Sequence, residues 1–251
     1  MNRTSVNGYT VNVATDEREL FDKLAAQIAE MATCEASASG LFTMLLSGGS
    51  TPRGLYETMS RLDPAKMPWD KTYLFLGDER CVSHSDGESN YKMVKDSLLS
   101  SITIPSTNVF PTVEQDKDPQ GAAKKYEQTI RRFFNSHIDE GGMPDFSLAL
   151  MGLGPDGHTA SLFPGTDALS EEERLCVANF VPKFDSFRLT LTLPVFAHAE
   201  NLFFLVAGEG KAEILKEVLL DESKGYPSQI VAKRARRPQW WVDEAAFKNI
   251  G

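Results

Sequence analysis

Cysteine is scarce in this chain: Cys34, Cys81 and Cys176 are the only three in 251 residues. They are odd in number and far apart, which excludes a disulfide framework and a zinc ribbon. Each reads as a small apolar filler in a reducing compartment. No apolar run approaches the ~18–20 residues that a membrane-spanning helix needs. Met1 to Thr15 mixes Asn2, Arg3, Thr4 and Asn7 with isolated valines and lacks the apolar centre of a signal peptide. These absences predict a cytoplasmic protein with no membrane partner. Positive charge is short as well, since 26 Lys and Arg stand against 35 Asp and Glu, a net charge of -9. A broad nucleic-acid surface needs clustered cations to displace counterions, so no nucleic-acid partner is expected. The one basic cluster, Lys233, Arg234, Arg236 and Arg237, reads as a solvated turn or edge. Apart from His158, the histidines His84, His137 and His198 have no ligand-like spacing among themselves, so no metal site is inferred.

What is present points to a folded α/β chain. The length suits one large domain, with 41% apolar and 24% charged residues. A single domain spanning residues 1–251 is expected, with an excursion near 100–120 where Pro105, Pro111 and Pro119 fall among polar residues. A unit recurs: an apolar run, a Gly-containing turn, then helical periodicity. Leu41 to Leu46 leads into Ser47-Gly-Gly-Ser50, and Tyr73 to Leu76 into Gly77-Asp-Glu-Arg80. Phe146 to Met151 leads into Gly152-Leu-Gly-Pro-Asp-Gly-His158, and Asn201 to Val206 into Ala207-Gly-Glu-Gly-Lys211. Short runs apolar on both faces suit the buried strands of a parallel sheet. Helical stripes lie at Leu20, Leu24, Ile28 and Met31, at Ala122, Tyr126, Ile130 and Phe133, and at Ala212, Leu215, Val218 and Leu219. Asp16 with Glu19 resembles a capping box, and Thr51-Pro52 reads as an N-cap followed by proline at the first helical position. The pattern predicts a mostly parallel, Rossmann-like sheet covered by helices on both faces. Ligands in such sheets sit outside the carboxyl ends of the strands, where all four Gly-rich turns fall.

Each turn has a chemistry that its residues allow. Gly48, Gly49, Ser50 and Thr51 at a helix start can aim backbone N–H groups at a phosphate or carboxylate, though a tight strand-to-helix turn capped by Thr51 explains them equally. Lys211 opens a helix and could be a second phosphate ligand. Asp78, Glu79 and Arg80 follow a strand directly, where charges must pair or bind something. Either a structural Asp–Arg pair closes that turn, or Arg80 holds an anion with Asp78 nearby. The spacing Gly152-x-Gly154-x-x-Gly157 matches a dinucleotide fingerprint, but Pro155 removes a donor and Asp156 puts negative charge where a pyrophosphate would lie. Asp156-Gly-His158 reads better as an acid beside a general base, because imidazole titrates near neutral pH. No Gly-x-Ser-x-Gly elbow or Cys–His pair appears, which lowers covalent catalysis.

Several stretches in order resemble the 6-phosphogluconolactonase family. They are Ser47 to Pro52, Gly77 to Arg80 with Ser89-Asn-Tyr91, Gly154 to Pro164, Arg188 to Pro194, Ala207 to Lys211 and Trp241 to Ala246. The resemblance implies hydrolysis of 6-phosphogluconolactone to 6-phosphogluconate in the oxidative pentose phosphate pathway. It implies a fold similar to glucosamine-6-phosphate deaminase, a sugar-phosphate lactone as the small-molecule partner, and no metal or cofactor. By the same resemblance His158 would be the base that activates water, with Asp156 orienting it and Asp78 in the catalytic set. Gly48, Gly49, Ser50, Thr51, Arg188 and Lys211 would hold the phosphate. Arg80 would contact anionic oxygens, either of the phosphate or of the developing oxyanion. The stretch Val231 to Pro238 is more basic than the family pattern. A monomer or weak homo-oligomer is expected.

An amino-sugar phosphate isomerase or deaminase on the same scaffold is the nearest alternative. That group carries a further glutamate shortly after the histidine, where this sequence has Leu162-Phe-Pro-Gly165, and Phe163 transfers no proton. A non-catalytic sugar-phosphate sensor and a nucleotide-binding oxidoreductase are more distant alternatives.

Overall fold

The computed structural model describes residues 1–112, 118–134 and 142–250. The strands are β1 (Asn2–Val6), β2 (Tyr9–Ala14), β3 (Phe42–Leu46), β4 (Thr72–Leu76), β5 (Asp78–Arg80), β6 (Val109–Phe110), β7 (Leu148–Met151), β8 (Cys176–Val181), β9 (Ser186–Leu191), β10 (Asn201–Val206) and β11 (Pro238–Asp243). The α-helices are α1 (Glu17–Ala38), α2 (Ser50–Met59), α3 (Asn90–Ser97), α4 (Pro119–Phe134), α5 (Leu193–His198), α6 (Ala212–Leu220), α7 (Pro227–Arg234) and α8 (Glu244–Phe247).

Eight strands form one sheet in the order β1-β2-β11-β10-β7-β3-β4-β6. Every neighbouring pair is parallel except the β1–β2 hairpin. Side chains alternate between the faces, and both faces are apolar. Phe42, Met44, Leu46, Leu148, Leu150, Phe203 and Leu205 pack with α1, α2 and α3 on one face. Leu45, Phe75, Ala149, Met151, Phe204 and Trp240 pack with helices α4 to α8 on the other. The chain runs outward from β3 through β4 to β6, then returns to β7 beside β3 and runs the other way to β10 and β11. That reversal makes a crevice between the loops after β3 and β7, the place where such sheets bind ligands.

Strands β5, β9 and β8 form a second, antiparallel sheet. Gly77 joins the two: its N–H donates to the Leu46 carbonyl at 2.9 Å and its carbonyl accepts from the Leu191 N–H at 2.9 Å. A Cβ there would sit 3.3 Å from the Leu46 carbonyl oxygen, so glycine keeps the seam close.

Some expectations need correction. Gly49, not Thr51, is the N-cap of α2, and no side chain caps that helix. The Asp16 carboxylate accepts from the Glu19 N–H at 2.8 Å, but Glu19 reaches back to Thr15 rather than completing a box. Cys34 is exposed on α1, so it fills no core, whereas Cys176 is buried. The proline-rich stretch near 100–120 carries the edge strand β6 and the start of α4, and 113–117 lie outside the described residues, as does His137.

Candidate active site

A cavity of about 230 Å³ opens in the crevice, lined among others by Gly48, Asp78, Arg80, Asn90, His158 and Lys211. On one side is the turn after β3. Tyr56, fully buried on α2, fixes it by donating to the Ser47 carbonyl and accepting from the Ser47 N–H, both at 2.9 Å. Gly49 adopts φ 109, a left-handed backbone that favours glycine, and hands the chain into α2. Pro52 has no N–H, so Ser50 and Thr51 offer the first helical donors, and both line the cavity. An uncapped helix start with its partial positive charge suits an anion. Gly48 leaves room for Asn90, because a Cβ there would meet the Asn90 Oδ1 at 2.0 Å.

Across the crevice, the turn after β7 presents His158. The Gly154 N–H donates to the His158 carbonyl at 2.8 Å, and the Thr159 hydroxyl donates to the Gly152 carbonyl at 2.8 Å, closing the loop on itself. His158 Nδ1 meets Asp156 Oδ1 in a short contact, which leaves Nε2 as the nitrogen that Asp156 does not engage. The ring lies on Phe163, with centroids 4.0 Å apart and planes 25° from parallel. Burial pushes the imidazole pKa below its ordinary value, against the opposing pull of Asp156. Burial also resists ionisation of Asp156, but hydrogen bonds from His158 and Lys183 outweigh it and bring its pKa to about 2. The pair is therefore an ionised carboxylate beside a neutral imidazole at neutral pH.

The charged turn after β4 divides its labour. Glu79, 1% exposed, accepts from the backbone N–H groups of Arg80, Asn90 and Tyr91 and from the Ser89 hydroxyl. It anchors the start of α3 and is structural. Asp78 accepts from the Ser161 hydroxyl at 2.6 Å and from the Asn90 amide at 3.2 Å, while lining the cavity. Arg80 donates to the Glu88 carbonyl. Arg188 lies opposite Arg80 in the β5–β9 register, with Phe184 beneath its guanidinium at 5.0 Å. Burial, then the neighbouring Arg80 charge, lowers the Arg188 pKa. Lys211, at the start of α6, donates to the Leu153 carbonyl at 2.7 Å, and burial lowers its pKa as well.

Of the residues expected from the sequence, Gly48, Gly49, Ser50, Thr51, Asp78, Arg80, His158 and Lys211 line one cavity. Asp156, which contacts His158, and Arg188, which is opposite Arg80 in the β5–β9 register, do not line it. Asn90, Ser161 and the stacked Phe163 were missed by sequence reasoning. Asn90 belongs to the Ser89-Asn-Tyr91 stretch, but nothing local in the sequence ties it to Asp78. Among the described residues, no three His, Cys, Asp or Glu side chains gather as a metal-binding set. No described helix is long and apolar enough to cross a membrane.

An α/β sheet with a helix start that no side chain caps and a carboxylate-backed imidazole lining one cavity at its switch point has the architecture suited to an anionic ligand beside a base. More narrowly, the chain belongs to the family described as glucosamine-6-phosphate isomerases/6-phosphogluconolactonase, whose sequence model matches residues 15–240. It is 35% identical over 242 residues to a 6-phosphogluconolactonase of Synechocystis, covering 96% of this chain and 98% of that protein. The human 6-phosphogluconolactonase is 35% identical over 247 residues, covering 96% and 93%. The solved structure of 6-phosphogluconolactonase from Trypanosoma cruzi superposes with a TM-score of 0.83 at 28% identity, covering 96% of each chain.

Proposed function

We propose that this chain hydrolyses 6-phospho-D-glucono-1,5-lactone to 6-phosphogluconate, a step of the oxidative pentose phosphate pathway, with His158 as general base. The observation that carries the reading is one cavity lined both by a helix start that no side chain caps and by an imidazole held by Asp156 and Phe163. The substrate phosphate sits at the Gly48–Thr51 turn, with Lys211 as its cation and Arg188 adding positive charge beside Arg80. His158 Nε2 takes a proton from water as the water oxygen bonds to the lactone carbonyl carbon. Negative charge gathers on the carbonyl oxygen, where Arg80 faces it. The carbonyl then re-forms, the bond to the ring oxygen breaks, and His158 returns its proton to that oxygen. Asp156 keeps the ring oriented, and Asp78 holds the Ser161 and Asn90 side of the cavity. Phe163, stacked on the base, has no exchangeable proton and so cannot supply the extra proton transfer that an isomerase needs.

The remaining partner expectations follow from charge and edges. Lys233 pairs with Glu222, Arg234 with Glu172, and Arg236 with Asp145, so three of the four cations of the basic stretch are matched by acids within the molecule. That pairing leaves little clustered positive charge for a phosphate backbone, which favours the reading without a nucleic-acid partner.

The test is hydrolysis of freshly generated 6-phosphogluconolactone, with the spontaneous rate subtracted, by the wild type and by His158→Ala. Wild-type turnover that falls about 10²- to 10⁴-fold in the variant, at similar KM, is expected for loss of a base. Turnover that survives in His158→Ala discards the mechanism. No wild-type enhancement over background discards the activity.

A further inference from the structure

The tip of the β8–β9 hairpin reaches the base from outside the cavity. Val181 pairs with Ser186, so Pro182, Lys183, Phe184 and Asp185 form the connection. Asp185 turns it with a left-handed backbone, φ 46, and donates its N–H to the Pro182 carbonyl at 3.2 Å. Two adjacent side chains of this tip then touch the two partners of His158. Lys183 Nζ donates to Asp156 Oδ2 at 2.9 Å, while Oδ1 of the same carboxylate faces His158 Nδ1. Phe184 meets Phe163 edge-on with centroids 5.7 Å apart, and Phe163 is the ring stacked on His158. Lys183 itself does not line the cavity, and its side chain is 53% exposed.

We propose that Lys183 is a positioning residue for the reaction: its ammonium holds the Asp156 carboxylate with one oxygen toward His158 and takes up part of its charge. The proposal rests on the reading of His158 as the base. A carboxylate at Nδ1 orients an imidazole, but it also stabilises the protonated ring, which is useless as a base. A cation on the second carboxylate oxygen keeps the orientation and weakens the second effect. The charged groups facing the imidazole are Asp156 from its own turn, Asp78 and Arg80 from β5, Lys211 from the start of α6, and Lys183 from the hairpin. Asp156 and Asp78 favour the imidazolium, whereas burial and Lys183 oppose it. Arg80 and Lys211 line the cavity and cannot be altered without disturbing the ligand site. Lys183 can.

The experiment compares Lys183→Met, which keeps an apolar stem and removes the charge, with Lys183→Arg. The acid limb of the kcat/KM–pH profile moves up by about 0.5 pH unit in Lys183→Met, the size expected for losing one partly screened charge. KM at pH 8 is unchanged, and Lys183→Arg returns the limb to its wild-type position. The His158 Cε1–H resonance, identified by its loss in His158→Ala, shows the same displacement by NMR titration of the ligand-free protein. A limb and a titration that stay at wild type, or move down, overturn the proposal. So does a raised KM with an unmoved limb, which makes Lys183 a substrate ligand. Failure of the wild type to hydrolyse the lactone sinks the proposed activity alone, and the NMR titration still decides the case for Lys183.

Discussion

An imidazole that takes a proton from water must be neutral, and it must keep one nitrogen aimed at the reacting atoms. His158 meets the first condition by burial and the second by Asp156 and Phe163. Space is the third requirement, and Gly154 supplies it: a Cβ at that position would lie 2.0 Å from both Nδ1 and Cε1 of the ring. Gly154→Ala must therefore displace either the imidazole or the turn. The turn is held by the Gly154–His158 and Gly157–Gly154 backbone hydrogen bonds, at 2.8 and 3.1 Å, so the ring is what gives. A shift of about 1 Å at a reacting group costs about 10²-fold. Kcat of Gly154→Ala should fall by that order while its thermal unfolding stays near wild type; wild-type kcat would show that the ring does not depend on this space. His158, Asp156 and Lys211 could be singled out from the sequence because each follows a strand within a few residues. Lys183 could not, since only the β8–β9 hairpin brings it 27 positions back to Asp156. Phe163 was legible only as an acid that is missing.

The strands that sequence reasoning identified are those apolar on both faces, β3, β4, β7 and β10, and their turns carry the site. The elements it did not identify are those whose pattern is broken by function or by position. β5 is Asp-Glu-Arg, three charges that no hydrophobic pattern marks as strand, and it lies in the small sheet because Gly77 bends the chain out of the large one. β11 begins at Pro238 behind a basic run, yet it lies inside the sheet between β10 and β2 with Trp240 and Trp241 buried. Proline is tolerated there as the first residue of the strand. Its far end has a further duty: the Asp243 carboxylate accepts from the Gly208 N–H at 3.0 Å and the Ala246 N–H at 2.8 Å, tying down the turn that leads to Lys211. Glu79 plays the same kind of part between β5 and α3. Glu79→Ala leaves the Asn90 and Tyr91 N–H groups and the Ser89 hydroxyl without their acceptor in a buried setting. The loss is about 2–3 kcal/mol, since a buried donor left without its acceptor costs about 1–3 kcal/mol. Differential scanning calorimetry should show a Tm lower by about 5–10 °C, and an unchanged Tm would mean that α3 is held by its apolar face alone.

Two apolar cores, one on each side of the large sheet, take up most of the large apolar side chains among the described residues. Among the described residues, the large apolar side chains standing exposed are Met1, Phe180, Phe184, Phe187 and Leu220. Phe180 and Phe187 pack on each other across the β8–β9 hairpin, with centroids 5.2 Å apart, and Phe184 is shared with Phe163 and Arg188. The edges of the large sheet are equally unreceptive. β6 is two residues long, too short to template a strand, and β1 presents Asn2, Arg3, Thr4 and Ser5 at the other edge. Short and polar edges are how sheets avoid pairing with another copy. The net charge of -9 adds mutual repulsion between copies at low ionic strength. A stable dimer needs a well-packed interface of about 1,200 Å² or more in total, and these scattered rings do not make one. We therefore expect a monomer, and light scattering behind a sizing column should report 27.8 kDa at micromolar protein and physiological salt. Twice that mass, constant on dilution, would overturn the expectation. The β8–β9 hairpin that carries Phe180, Phe184 and Phe187 would then be the place to substitute first, because among the described residues it holds three of the five large apolar side chains standing exposed.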